Sequence, residues 1–220
     1  MKVTLKILLV AAVALLAYMC YESIMGPITY DNEKGARDSA IIARLIEIRK
    51  AQIEYKNIHK THAGSFDDLE KFLNTEKLPF LIKEGVLTDE QLEKGMTEKE
   101  AVKQGLIRRD TMWVLAKDTL LGANYDVANM RYVPGVPGEK ITFKMDTATL
   151  KSGSGYDIKV FVCEVPYASY LRDMDPQLTY NLTDKATKQN KFPGLRVGSL
   201  EEINNNAGNW EYSANDYQYS

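Results

Sequence analysis

The chain has 220 residues, 45% of them hydrophobic, and a formal net charge of −2 from 28 basic and 30 acidic side chains. That length suits one large domain or two small ones, since a typical domain has roughly 150 residues. The near balance of charge, with no basic patch or run, argues against a nucleic-acid partner, and two cysteines far apart in the chain, Cys20 and Cys163, exclude a disulfide framework.

The N-terminus is the most apolar part. Lys2 and Lys6 precede residues 7–21, ILLVAAVALLAYMCY, which carry no charge. Crossing about 30 Å of hydrocarbon takes roughly 20 residues. Residues 7–21 approach that length once Val3 to Leu5 extend the helix and Lys6 snorkels to one interface. Tyr18 and Tyr21 suit an interfacial belt, and Glu22 stands at the far side. Residues 1–26 are therefore expected to form a signal anchor in contact with membrane lipid. A cleaved signal needs small residues before the cut, and Ala17-Tyr18-Met19 places bulky ones there. Lipidation of Cys20 needs a small residue before it, where Met19 stands. Export with a cleaved signal and a lipid anchor at Cys20 remain the alternatives. Glu22, Asp31 and Glu33 follow the segment, so the positive-inside rule puts the N-terminus in the cytoplasm. In a bacterium this means a single pass of the inner membrane with the bulk periplasmic. Gly26-Pro27 predicts a break in the helix, and residues 31–35 predict a linker.

From residue 36 to 60 the period becomes helical. Ile41, Ile42, Leu45, Ile46, Ile48, Ile53 and Tyr55 recur mainly at spacings of three and four. They cover about half the circumference, wider than a two-stranded coiled-coil seam. The helix is expected to pack on a sheet and to leave surface for a protein partner or a second copy. Ile41, Leu45, Ile48 and Tyr55 are the candidate interface residues. Ala63-Gly64 then stops the helix. Ser65 followed by Asp68 reads as an N-cap with an acid at the third position, opening a short helix through Leu69, Phe72 and Leu73. Pro79 ends that element, and Phe80 to Ile82 predict a strand or turn. Thr88-Asp89-Glu90 and the capping box Thr97-Glu98-Lys99-Glu100 predict two more short helices, stopped at Gly95 and Gly105. Residues 27–105 thus form a helical region.

Residues 106–202 show a period of two. Trp113 and Leu115, then Ile141, Phe143 and Met145, then Tyr156, Ile158, Val160 and Val162, and finally Leu178, Tyr180 and Leu182 predict four strands. Gly135 to Gly138 and Ser152 to Gly155 supply turns. Helices followed by strands make an α+β order: a membrane helix, a long amphipathic helix and short helices, then an antiparallel sheet packed on the helix. The tail, residues 203–220, is rich in Asn, Ser and Tyr and reads as irregular.

No phosphate loop, dinucleotide fingerprint or nucleophile elbow is present in the sequence. His59 and His62 could share a helix face, yet a zinc site wants three or four ligands. Asp67-Asp68 and Asp89-Glu90 sit at helix starts, where capping accounts for them. Asp173 and Asp175 fall in a turn, with too few oxygen ligands beside them for calcium. The expectation is a non-enzymatic protein with no catalytic residues, no metal and no cofactor.

Arg49-Lys50-Ala51-Gln52-Ile53-Glu54-Tyr55, followed by His62-Ala63-Gly64-Ser65-Phe66 and Leu69, resembles type IV pilins and the pseudopilins of type II secretion. The order of membrane segment, amphipathic helix and antiparallel sheet is similar too. The pilin processing site before the hydrophobic segment is absent, and Glu22 lies at the opposite end from the pilin acidic residue. The chain as a whole also resembles envelope proteins of Bacteroidetes. The second resemblance assigns no activity, whereas the pilin-like plan, with the anchor, the half-apolar helix and the missing catalytic motif, implies a structural or assembly subunit of a cell-envelope complex. The aromatic content, with Trp113, Trp210 and thirteen tyrosines, supports the alternative of an anchored module binding a small ligand, peptide or glycan.

Overall fold

The computed structural model describes residues 2–84, 95, 97 and 108–213. Its first element is one helix, α1 (Lys2–His59), of 58 residues with Pro27 inside it. The break expected at Gly26-Pro27 is not there, and the expected linker at 31–35 is helical. A helical proline loses one hydrogen bond and crowds the Cβ of the residue before it. Gly26 has no Cβ to crowd. Further on, Lys34 donates to Asp38 at 2.6 Å, and the Ser39 hydroxyl donates to the Gly35 carbonyl at 2.8 Å. These ties hold the stretch helical against the cost of Gly35, about 1 kcal/mol relative to alanine. The helix stops where Lys60 enters the left-handed region at φ 62°, its N–H bonded to the Lys56 carbonyl.

The chain forms two compact units, one of residues 50–129 and one of residues 1–49 with 130–220. In the 50–129 unit, the side chain of Gln52 is buried and bonds both ways to Ala63, donating to its carbonyl and accepting from its N–H, each at 2.9 Å. That pair fixes the turn after α1. Ser65 then caps α2 (Phe66–Thr75), its oxygen accepting from the Asp68 N–H at 3.2 Å, and Leu69, Phe72 and Leu73 form the buried face as their spacing predicts. Strands β1 (Lys77–Glu84) and β2 (Arg108–Leu115) pair antiparallel, from Lys77 opposite Leu115 to Glu84 opposite Arg108. Pro79 is tolerated because each strand of a two-stranded sheet has a free edge. A short helix, α3 (Ala116–Leu120), follows. The helices expected to start at Thr88 and Thr97 lie outside the described residues.

The second unit contains a three-stranded antiparallel sheet of β3 (Lys144–Lys151), β4 (Asp157–Pro166) and β5 (Gly194–Gly198), in that order. Residues 152–156 turn β3 into β4, with the Gly155 N–H on the Ser152 carbonyl and Gly155 at φ 84°. The strand expected through Ile141 and Phe143 is split. Thr142 bridges to Tyr132, and β3 begins only at Lys144. The central strand buries Val160, Phe161, Val162 and Cys163 in succession, so both of its faces are covered there. A four-residue helix, α4 (Tyr167–Tyr170), leads away from β4.

The strand expected through Leu178, Tyr180 and Leu182 is a helix, α5 (Pro176–Lys188). Asp175 caps it, accepting from the N–H groups of Gln177 and Leu178 at 2.8 and 2.9 Å, and Pro176 takes the first helical position. Asp-Pro is a helix-start signal that outweighs three alternating apolar residues. The tail covers the outer edge of β5. The Gly198 N–H bonds to the Ala207 carbonyl at 3.0 Å. Asn209 accepts from the Arg196 N–H at 3.1 Å and donates to the Gly194 carbonyl at 2.8 Å. An open strand edge is thereby closed. A five-residue helix, α6 (Asn209–Ser213), follows in what reads from sequence as an irregular tail.

Close packing fixes both glycines of β5, and at Gly194 a Cβ would run into the Val165 carbonyl oxygen. Gly198 has φ 75°, and a Cβ there would run into the Phe161 carbonyl oxygen. Gly138 has φ 87° but open space around it. Gly198→Ala is expected to cost about 2–4 kcal/mol and Gly138→Ala about 1 kcal/mol, measured by thermal unfolding. Equal losses would show that the contact at β5 does not matter.

Candidate functional site: the anchor helix and its attachment

α1 changes character along its length. An 18-residue window of it has a mean hydropathy of 2.3, and none of that window is buried. Val3, Leu8, Val13, Leu16 and Ile24 all lie exposed. A helix that is apolar all round needs a non-aqueous surrounding, so this part is long and apolar enough to be a membrane anchor. From Tyr30 onward the pattern changes. Tyr30, Arg37, Ile41, Leu45 and Ile48 are buried, at helical spacings that leave the opposite face wet.

Polar ties fasten α1 where the change occurs. The Tyr30 hydroxyl lies 3.0 Å from the Thr179 hydroxyl on α5. Arg37 Nη1 and Nη2 donate to the two oxygens of Asp173 at 2.6 and 2.7 Å, and Nη1 also donates to the Tyr170 carbonyl at 2.8 Å. The two-pronged geometry is the strong form of this interaction. At the next position, Asp38 accepts from Lys34 and from the Tyr170 hydroxyl, both at 2.6 Å. The Arg37 guanidinium holds the Asp173 carboxyl below the usual carboxylate range. Burial, reinforced by the nearby Asp38 charge, pushes the Tyr170 phenol up, so it stays protonated and donates.

The four residues expected at a partner interface have other surroundings. Ile41, Leu45 and Ile48 are fully buried. Tyr55 is half-buried, its ring 4.3 Å from His59 and 5.3 Å from Phe72. The chain's own fold takes up this face, and a partner would have to displace it. The exposed apolar side chains in the same stretch are Ile53 and Ile58.

The remaining candidate groups have structural duties. His59 Nε2 lies 2.9 Å from Glu76, while His62 is buried. Asp175 caps α5, and Asp173 holds Arg37. Cys20 is exposed and Cys163 buried, both unpaired as thiols, and burial raises the Cys163 thiol pKa. Among the described residues no group of three or more His, Cys, Asp or Glu side chains is placed to hold a metal.

Sequence reasoning missed the Arg37–Asp173 pair, whose partners stand 136 positions apart and leave no local signal. Because the folded carboxyl of Asp173 titrates below its unfolded value near pH 4, its stabilisation is complete above about pH 4 and is lost as pH falls through the folded value. Asp173 is a third exposed, which limits its worth to about 1–2 kcal/mol at pH 7. Denaturant unfolding should show Asp173→Asn less stable by that amount at pH 7, with the gap narrowing as the pH falls below the unfolded value near 4. A gap that persists in acid would contradict the pairing. No family model, no curated protein and no solved structure matches the chain.

Proposed function

We propose that the chain is a single-pass, membrane-anchored, non-catalytic subunit of a bacterial cell-envelope assembly, organised like a pilin or pseudopilin. Lys2 and Lys6 face the cytoplasm, the apolar part of α1 lies in the inner membrane, and the folded units stand in the periplasm. The observation that carries this reading is the continuity of α1. One helix of 58 residues runs from exposed apolar residues into a buried face without the break expected at Gly26-Pro27. That break would have set the chain apart from a pilin-like plan. A rigid link of this kind passes force and orientation from membrane to domain, which an assembly subunit needs and a tethered enzyme does not. The lack of a nucleophile, metal or phosphate motif in the sequence supports a structural role.

Contacts between copies would then run through the exposed side of α1, with Ile41, Leu45 and Ile48 serving the subunit's own core. Cys20 supplies a native probe, since it is exposed on α1 and the other thiol, Cys163, is buried. Mild oxidation of membranes should give a Cys20-linked dimer that Cys20→Ser abolishes and Cys163→Ser leaves intact. A strictly monomeric product at all expression levels would count against self-assembly. The anchor itself is tested by carbonate extraction and by protease added from the periplasmic side. The full-length chain should stay in the membrane pellet, and the folded units should be digested or shielded only from outside. Release into the supernatant would overturn the anchoring.

A further inference from the structure

The unit of residues 1–49 and 130–220 holds a cleft of about 780 Å³. Its volume falls within the range of small-molecule sites, about 300–1,000 Å³. One wall is α1 at Lys34, Asp38 and Ile42, and the other is built from the end of α5, from β5 and from the tail.

Two features of the lining point to a ligand class. The first is charge. Lys34, Lys185, Lys191 and Arg196 face two carboxylates, Asp38 and Glu202, so the cleft carries net +2 on a chain of net −2. Both oxygens of Asp38 are already engaged, by Lys34 and by Tyr170. The second is rings. Tyr167, Phe192 and Trp210 line the cleft half-buried. Lys34 stands 5.6 Å from the centre of the Tyr167 ring, and Arg196 5.6 Å from that of Phe192. Cations held over ring faces are partly ordered before a ligand arrives.

The end of α5 supplies no phosphate cradle. Phosphates seek the N-terminal N–H groups of a helix, but α5 presents its C-terminal end here, its last carbonyls bonded to the N–H groups of Gln189, Asn190 and Lys191. Side-chain cations bind carboxylates and phosphates alike, so the ring and amide contacts decide between ligand classes. The exposed amides of Gln189 and Asn190 at the rim offer donors and acceptors for hydroxyls, and the apolar faces of sugar rings stack on aromatic side chains.

We infer that this cleft binds an acidic oligosaccharide, with its carboxylates on Lys185, Lys191 and Arg196 and its sugar faces on Phe192 and Trp210. Trp210 is one of two tryptophans, and the other, Trp113, is exposed on β2. In full-length Trp113→Phe protein held in detergent, trigalacturonate should change Trp210 emission saturably, with a midpoint at or below about 1 mM. Calorimetric titration of the unaltered chain should give the same midpoint. The double change Lys185→Gln with Lys191→Gln alters two exposed side chains, so the fold should persist by circular dichroism while binding weakens about tenfold. Added salt should weaken the unaltered chain's binding as well. Maltotriose, which is neutral, should not bind. Absence of saturable binding by both methods up to about 10 mM would overturn the inference. So would equal binding of triglutamate or inorganic phosphate, since the site would then read charge without the sugar.

Discussion

The structure depends on one helix whose surface changes character along its length. Through the first part of α1 the helix is exposed and apolar on every side; from Tyr30 it must bury one face and wet the other. A helix satisfies its own backbone hydrogen bonds in either setting, which is why it can cross such a boundary. What it cannot supply by itself is the angle at which the domain meets it. The bonds from Tyr30, Arg37 and Asp38 to residues 170–179 supply that angle. All are polar, and together they tie α1 to α4, to the turn after it and to α5. An apolar contact tolerates sliding, whereas a two-pronged Arg37–Asp173 pair has one good geometry. Apolar side chains at Ile41, Leu45 and Ile48 then add buried area behind it.

That arrangement explains the unusual demands on β4 and β5. Where β4 is buried on both faces its sequence, Val160 to Cys163, is continuously apolar. A short strand beside it, β5, would leave an open edge. The tail closes it with backbone contacts at Ala207 and Gly208 and with the side-chain amide of Asn209, which satisfies one donor and one acceptor of β5. Asn209 thus does for the sheet what a further strand would do, and it requires the tail to be ordered to that point.

These details mark what a sequence reveals. The apolar N-terminal run, the half-apolar helix and the Ser65 cap are local patterns. Each is written in residues within a few positions of one another, so each was legible. The antiparallel turn at Ser152 to Gly155 was legible for the same reason. The continuity at Gly26-Pro27 was not, because two residues that break helices separately are less disruptive together: glycine removes the Cβ that proline would crowd. The run through Leu178, Tyr180 and Leu182 was ambiguous, since Leu178 and Leu182 are also one helical turn apart, and the deciding information was the preceding Asp175-Pro176. The Arg37–Asp173 pair and the cover over β5 join residues far apart in the chain. No period or propensity encodes them. Ile41, Leu45 and Ile48 illustrate a further limit. Spacing shows that a face is apolar, but whether that face is filled by the chain itself or by a partner is a tertiary fact.

The helix that carries the apolar run also forms one wall of the cationic cleft, and this sets where a ligand would sit. Lys34 is twelve positions beyond Glu22, and both lie on one uninterrupted helix. At 1.5 Å per residue they stand about 18 Å apart along its axis. With Glu22 at the membrane surface, as the proposed anchoring has it, the cleft is held within a small domain's radius of the lipid. Lys34 belongs to both features, since it donates to the Asp38 carboxylate that also receives the Tyr170 hydroxyl. An anion drawn toward Lys34 competes for the same ammonium group, so occupancy of the cleft and the fastening of α1 draw on one charged side chain. Placing the cations Lys185, Lys191 and Arg196 on the opposite wall lets a ligand be held mainly there, while Lys34 keeps its structural bond.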